Sequence, residues 1–111
     1  MKIKSNKEHF LSCNVAAFTY HDGCEVFDQL KVGKKVTLVR EDENPYDHNA
    51  VAIFFGEKTH IGYIPRRQND TIAKFLDLGY ADIFEARIQS VDPTVHPEEQ
   101  VNIVIYLKRK V

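Results

Sequence analysis

"KKVTLVREDENPYDHNAVAIFFGEKTHIGYIP", Lys34 to Pro65, is the stretch that decides the fold. Three runs suited to strands, KKVTLVRE, AVAIFFG and THIGYIP, are separated by the polar NPYDHNA and by GEK. Val36 and Leu38 alternate with polar neighbours, as one half-buried face of a strand requires. GEK has hairpin length and a glycine to carry the backbone through its turn. The spacing predicts a three-stranded antiparallel meander that stops at Pro65.

Beyond Pro65 the period changes. In RRQNDTIAKFLDLG, Ile72, Phe75 and Leu76 fall at i, i+3 and i+4, the spacing of a helix that packs on a core. Asn69 or Asp70 can cap its start and Gly79 its end. ADIFEARIQSV returns to alternation, with Phe84, Ala86 and Ile88 facing one way and Glu85, Arg87 and Gln89 the other. After the polar loop DPTVHPEEQ, the run VNIVIYLKRKV sets Val101, Ile103, Ile105 and Leu107 against Asn102, Val104, Tyr106 and Lys108. Upstream, HFLSCNVAAF reads as a strand that breaks at TYHDG. CEVFDQLKVGKK reads as one turn or so of helix, or a packed loop, that carries Val26, Phe27 and Leu30 and ends at Gly33. The expected fold class is mainly β with one or two helices: a small barrel of about six strands, with one clear helix between the fourth and fifth.

A length of 111 residues, 43% of them hydrophobic, suits a single domain over 1–111 with one core and is too apolar for intrinsic disorder. The 15 Lys+Arg and 16 Asp+Glu give a net charge of -1, so no global field draws the protein to nucleic acid or to a membrane, and an anionic partner must meet a local patch. The start, MKIKSNKEHF, lacks the apolar core of a signal peptide, and no run is long enough to cross a membrane. Cys13 and Cys24 form neither a disulfide framework nor a zinc spacing. The expected setting is cytoplasmic and bacterial, with nucleoid work included, no membrane partner, no cofactor and no metal.

NPYDHNA has two readings. As a turn, Asn44 and Asp47 form Asx turns, Pro45 fixes φ and Asn49 tolerates a left-handed backbone. No turn requires Tyr46, however, and an aromatic ring on a loop beside an amide and a carboxylate can stack on a base while its neighbours meet polar edges.

Taken together, VAAFTYHDG, LVREDENPYDHNAVAIF and HIGYIPRRQNDTIAKFLDLG resemble the HIRAN domain, in the family's order, from about Cys13 to Ile88. The resemblance implies an OB-like β-barrel with helices, completed by the strand at about 101–111, and a module that holds the free 3′ end of single-stranded DNA. It also implies work in DNA repair or replication-fork processing beside a helicase, translocase or nuclease, since the family occurs alone in bacteria and fused to such enzymes. Asn44, Tyr46 and Asp47 stand where the family's NPYD lines the pocket for the terminal nucleotide, and Tyr20 stands at an aromatic position that stacks on a base. Where family members often have a basic residue and two tyrosines, this chain has Thr19, Tyr20 and His21; one cation is missing and one ring is changed.

The residue types fit end recognition. The Asp47 carboxylate can accept a hydrogen bond from a free 3′-hydroxyl, whereas a continuing phosphodiester lacks the donor and adds a second negative charge. Arg66 and Arg67, at the expected helix start, and Lys74 further on are the candidate phosphate contacts, and Tyr63 is a further candidate whose face the alternation leaves open. Three other readings exist. His48 beside Asp47, and His21 and Asp22 near Cys24, are raw materials for catalysis, but no nucleophile motif organises them, so the chain reads as a binding module without catalytic residues. A metal site would start from His21 and Cys24, although Cys13 reads as a core residue and His9, His60 and His96 as surface residues. A protein-interaction module would use VNIVIYLKRKV as an edge strand, unless Lys108, Arg109 and Lys110 block pairing there or add to a basic patch.

Overall fold

The computed structural model describes residues 6–109. Its six strands are β1 (Lys7–Asn14), β2 (Lys35–Arg40), β3 (Val51–Phe55), β4 (Thr59–Tyr63), β5 (Phe84–Val91) and β6 (Val101–Lys108). They form one antiparallel sheet in the order β1-β6-β5-β2-β3-β4. The meander is β2-β3-β4, as its spacing predicts, with Gly56 at positive φ in the GEK turn. Helix α1 (Asp70–Asp77) lies between β4 and β5.

The sheet coils into a loose OB-like barrel. Its edges, β1 and β4, are joined by one isolated bridge, in which Ala16, just past β1, exchanges both backbone hydrogen bonds with Tyr63 at 2.8 and 2.9 Å. Gly62 makes this approach possible: its φ is 152°, and a Cβ there would lie 2.5 Å from the Ala16 carbonyl oxygen. HFLSCNVAAF is therefore a strand only as far as Asn14. Val15 and Ala16 run on to the bridge, and Ala17, at φ 59°, turns the chain into the 3-10 turn Phe18–Tyr20.

The core lies inside the barrel. Val51, Ile53, Ile61, Ile88, Ile103 and Ile105 are buried there, and Ile72 and Ala73 of α1 are buried in the same cluster. Ile72 and Leu76 pack on the core as expected, joined by the buried Ala73, while Phe75 is 37% exposed and meets the core residue Phe84 edge to face. Phe84, Ala86 and Ile88 point inward as the alternation requires.

CEVFDQLKVGKK contains most of a longer 3-10 segment, Asp22–Gln29, that ends at Leu30. Gly33, at φ 92°, makes the turn into β2 instead of ending that segment. Cys13 is buried, and desolvation pushes its thiol up to about 12, against a weaker opposing pull from Arg67. The expected edge position of VNIVIYLKRKV does not hold. β6 pairs with β1 on one side and β5 on the other, so Lys108 and Arg109 guard no edge there; Lys110 lies outside the described residues.

Candidate nucleic-acid interface

The approach of Ala16 to Tyr63 gathers three segments around one cavity of about 950 Å³: the turn after β1, the NPYD loop between β2 and β3, and the end of β4. This volume is at the upper end of the range of about 300–1,000 Å³ typical of ligand pockets. Tyr20 and Tyr46 line it yet are 81% and 84% exposed, so two aromatic faces stand at its mouth.

The NPYD loop is both a turn and a wall of the cavity. Asn44 Oδ1 accepts from the backbone N–H of Tyr46 (2.8 Å) and Asp47 (3.1 Å), and its Nδ2 donates to Glu41 Oε1 at 3.1 Å. Glu41 Oε1 also accepts from the Tyr63 hydroxyl at 2.8 Å. Burial and that carboxylate push the Tyr63 phenol up to about 12. Tyr63, left open by the alternation, therefore faces the cavity as a neutral ring fastened to its wall.

Asp47 is held on both oxygens. Oδ1 accepts from the Asn49 N–H (2.9 Å) and Oδ2 from Asn69 Nδ2 (2.9 Å), with Arg66 Nε at 3.7 Å from Oδ2. Burial pushes this carboxyl up, but the Asn49 and Asn69 hydrogen bonds, aided by Arg66 and His48, outweigh it and hold the group below its usual value. Asn69 stands at the α1 start, as expected, but its side chain makes no cap bond; buried to 1% exposure, it turns to Asp47 instead. A carboxylate has about four acceptor positions, so each oxygen keeps capacity for a further donor.

The expected cations separate. Arg66 lines the cavity and donates to the Tyr46 carbonyl. It belongs to the short 3-10 turn Arg66–Gln68, which precedes α1, so neither arginine sits at the helix N-terminus. Arg67 and Lys74 are exposed and do not line the cavity, and Thr19 is also outside it. His60, expected on the surface, is half-buried: its ring stacks on Phe54 (5.0 Å between centroids) and meets His21 at 4.0 Å. His21 lines the cavity. The sequence reading missed Glu41, whose acidic run was visible, and Asn69 as a support for Asp47, which carried no local signal.

A profile of the HIRAN domain matches residues 9–110. The chain belongs to the HIRAN domain family. Domains of this family are generally nucleic-acid-binding modules. The match extends beyond residues 13–88 to include β6, the strand that joins β1 to β5 in the sheet. Among solved structures, a crystal structure of a protein from Lactobacillus plantarum is 24% identical, covers 94% of this chain and 97% of its own, and superposes with a TM-score of 0.77. The HIRAN domain of human HLTF is 16% identical, with 95% and 82% coverage and a TM-score of 0.64. Both likenesses concern the fold. No curated protein matches the sequence. Among the described residues, no helix is long and apolar enough to cross a membrane, and no group of three His, Cys, Asp or Glu side chains is placed to hold a metal ion.

Proposed function

We propose that this HIRAN domain takes the end of a single DNA strand, its free 3′-hydroxyl, into the cavity between Tyr20 and Tyr46, and so serves a helicase, translocase or nuclease in repair or fork processing. The observation that carries the reading is the pair of exposed rings at a cavity whose wall offers an oriented carboxylate. Base stacking contributes on the order of 1–3 kcal/mol per base and tolerates any sequence. Asp47 accepts the hydroxyl proton in a hydrogen bond, and Asn44 and Asn69 keep the loop and carboxylate in place. Glu41, Asp42, Glu43 and Asp47 all line the cavity while Arg66 is its one Lys or Arg among the described residues, so a strand that continued past this point would bring its phosphate against carboxylates.

The test is a binding series with one short oligonucleotide ending in a 3′-hydroxyl, ending in a 3′-phosphate, or circularised. The 3′-hydroxyl strand should bind best, and Asp47→Ala should shrink its advantage over the 3′-phosphate strand. With few phosphates neutralised, the salt slope should be shallow, about -0.7 in log K per log salt for each contact. Equal affinity for all three ligands refutes end recognition.

A further inference from the structure

His21 occupies an unusual place in this cavity. Its ring lies 4.0 Å from that of His60, centroid to centroid, and 5.3 Å from Tyr63 in an edge contact. Behind it, His60 is fixed by its stack on Phe54 and by a 2.9 Å hydrogen bond from its Nε2 to the Gly62 carbonyl oxygen. The groups that face His21 are His60 and Tyr63 from β4, Glu41 beyond the end of β2, and Asp22 of its own segment. Burial and His60 hold the His21 imidazole below its ordinary value, against opposing pulls from Glu41 and Asp22. At neutral pH His21 is therefore an uncharged ring.

Among the described residues, Arg66 is the only Lys or Arg that lines the cavity, and its guanidinium already donates to the Tyr46 carbonyl. An anionic strand entering the cavity has one further group there that can become positive. We propose that His21, backed by His60, is the proton-gated cation of the cavity, so that an anionic strand is bound together with a proton. The empty cavity disfavours that proton, because an imidazolium at His21 would be partly desolvated and would face a second imidazole. A phosphate beside His21 supplies the compensating charge and raises proton affinity, and by linkage affinity for the strand rises as pH falls. This coupling rests on the DNA-binding reading above.

The test uses a short oligothymidylate with a free 3′ end and a pH-insensitive fluorophore at its 5′ end, titrated by anisotropy from pH 8 to pH 5 at constant ionic strength. The wild type should tighten by about tenfold, the change that a one-unit rise in the histidine pKa on binding produces. His21→Phe keeps a ring against His60 and should remove that rise, whatever its absolute affinity. Any tightening from protonation of the rim carboxylates is common to both proteins. His60→Phe should move the midpoint to higher pH, because it removes the neighbour that opposes the charge on His21. Replacing the last linkages of the oligonucleotide by uncharged methylphosphonates should flatten the wild-type profile. Binding with a flat wild-type profile, or a His21→Phe profile parallel to the wild type, overturns the coupling while leaving DNA binding intact. If no protein binds at any pH, DNA binding itself fails, and an NMR titration of His21 in the free protein then reports separately whether His60 holds its charge down.

Discussion

Asp47→Ala removes a carboxylate that the structure uses to hold the NPYD loop and that the proposed function uses to meet a strand end. The stability loss has three parts. The Asn49 N–H loses its Asx-turn acceptor, which costs about 1 kcal/mol for a half-buried turn of this kind. The Asn69 amide, on a residue only 1% exposed, loses the acceptor of its Nδ2 group. An orphaned buried donor costs about 1–3 kcal/mol. Arg66 adds little, because it stands 3.7 Å away and its side chain is 69% exposed. The sum is about 2–4 kcal/mol, or a fall in Tm of about 9–17 °C for a domain of this size. Urea unfolding at pH 7 of Asp47→Ala, Asn69→Ala and the double variant measures it, with an expected coupling of about 1–2 kcal/mol between the two sites. A loss below about 0.5 kcal/mol for Asp47→Ala, or strict additivity with Asn69→Ala, would refute the loop-holding role. Binding is compared at a temperature where each variant is fully folded, so that lost end preference is not mistaken for lost structure.

Tyr20→Ala and Tyr46→Ala should leave stability within about 0.5 kcal/mol, since both rings are more than four-fifths exposed, yet weaken 3′-hydroxyl and 3′-phosphate strands by a similar factor. Unfolding and binding curves on the same samples check this. Gly62→Ala should cost about 2–4 kcal/mol, because its Cβ would meet the Ala16 carbonyl where the barrel edges join; hydrogen exchange should show the loss first at the Ala16 and Tyr63 amides. Glu85 accepts from Lys7 at 2.7 Å and Arg87 at 3.0 Å, which hold its carboxyl down to about 2. A depressed folded value means that its contribution is present above about pH 4.5 and is lost as pH falls towards 2. Glu85→Gln should therefore lose less stability than the wild type between pH 5 and pH 2.5, measured by urea midpoints.

The alternation of Phe84, Ala86 and Ile88, the β2-β3-β4 meander and the 3.6-residue spacing of α1 could all be read from the chain because each is a local period imposed by which face meets the core. The cavity residues Asn44, Tyr46, Asp47 and Tyr20 were legible for a different reason: a phenol and an exposed-type amide and carboxylate in one turn exceed what a turn needs, and their order resembles a known family. Long-range pairing had no such signal. The last strand became an interior strand of the sheet, because β1 and β5 both pair with it, and only the coiling of the sheet could show that Ala16 reaches Tyr63 across Gly62. Tertiary packing also chose among chemically equivalent groups. Arg66 faces the cavity and Arg67 does not, because a 3-10 turn points neighbouring side chains in different directions. Asn69 supports a carboxylate 22 residues away instead of capping its helix, and His60 lies beneath His21 instead of on the surface. Sequence spacing determines which face a side chain takes on its own element, but the partner waiting there is set by how the elements cross.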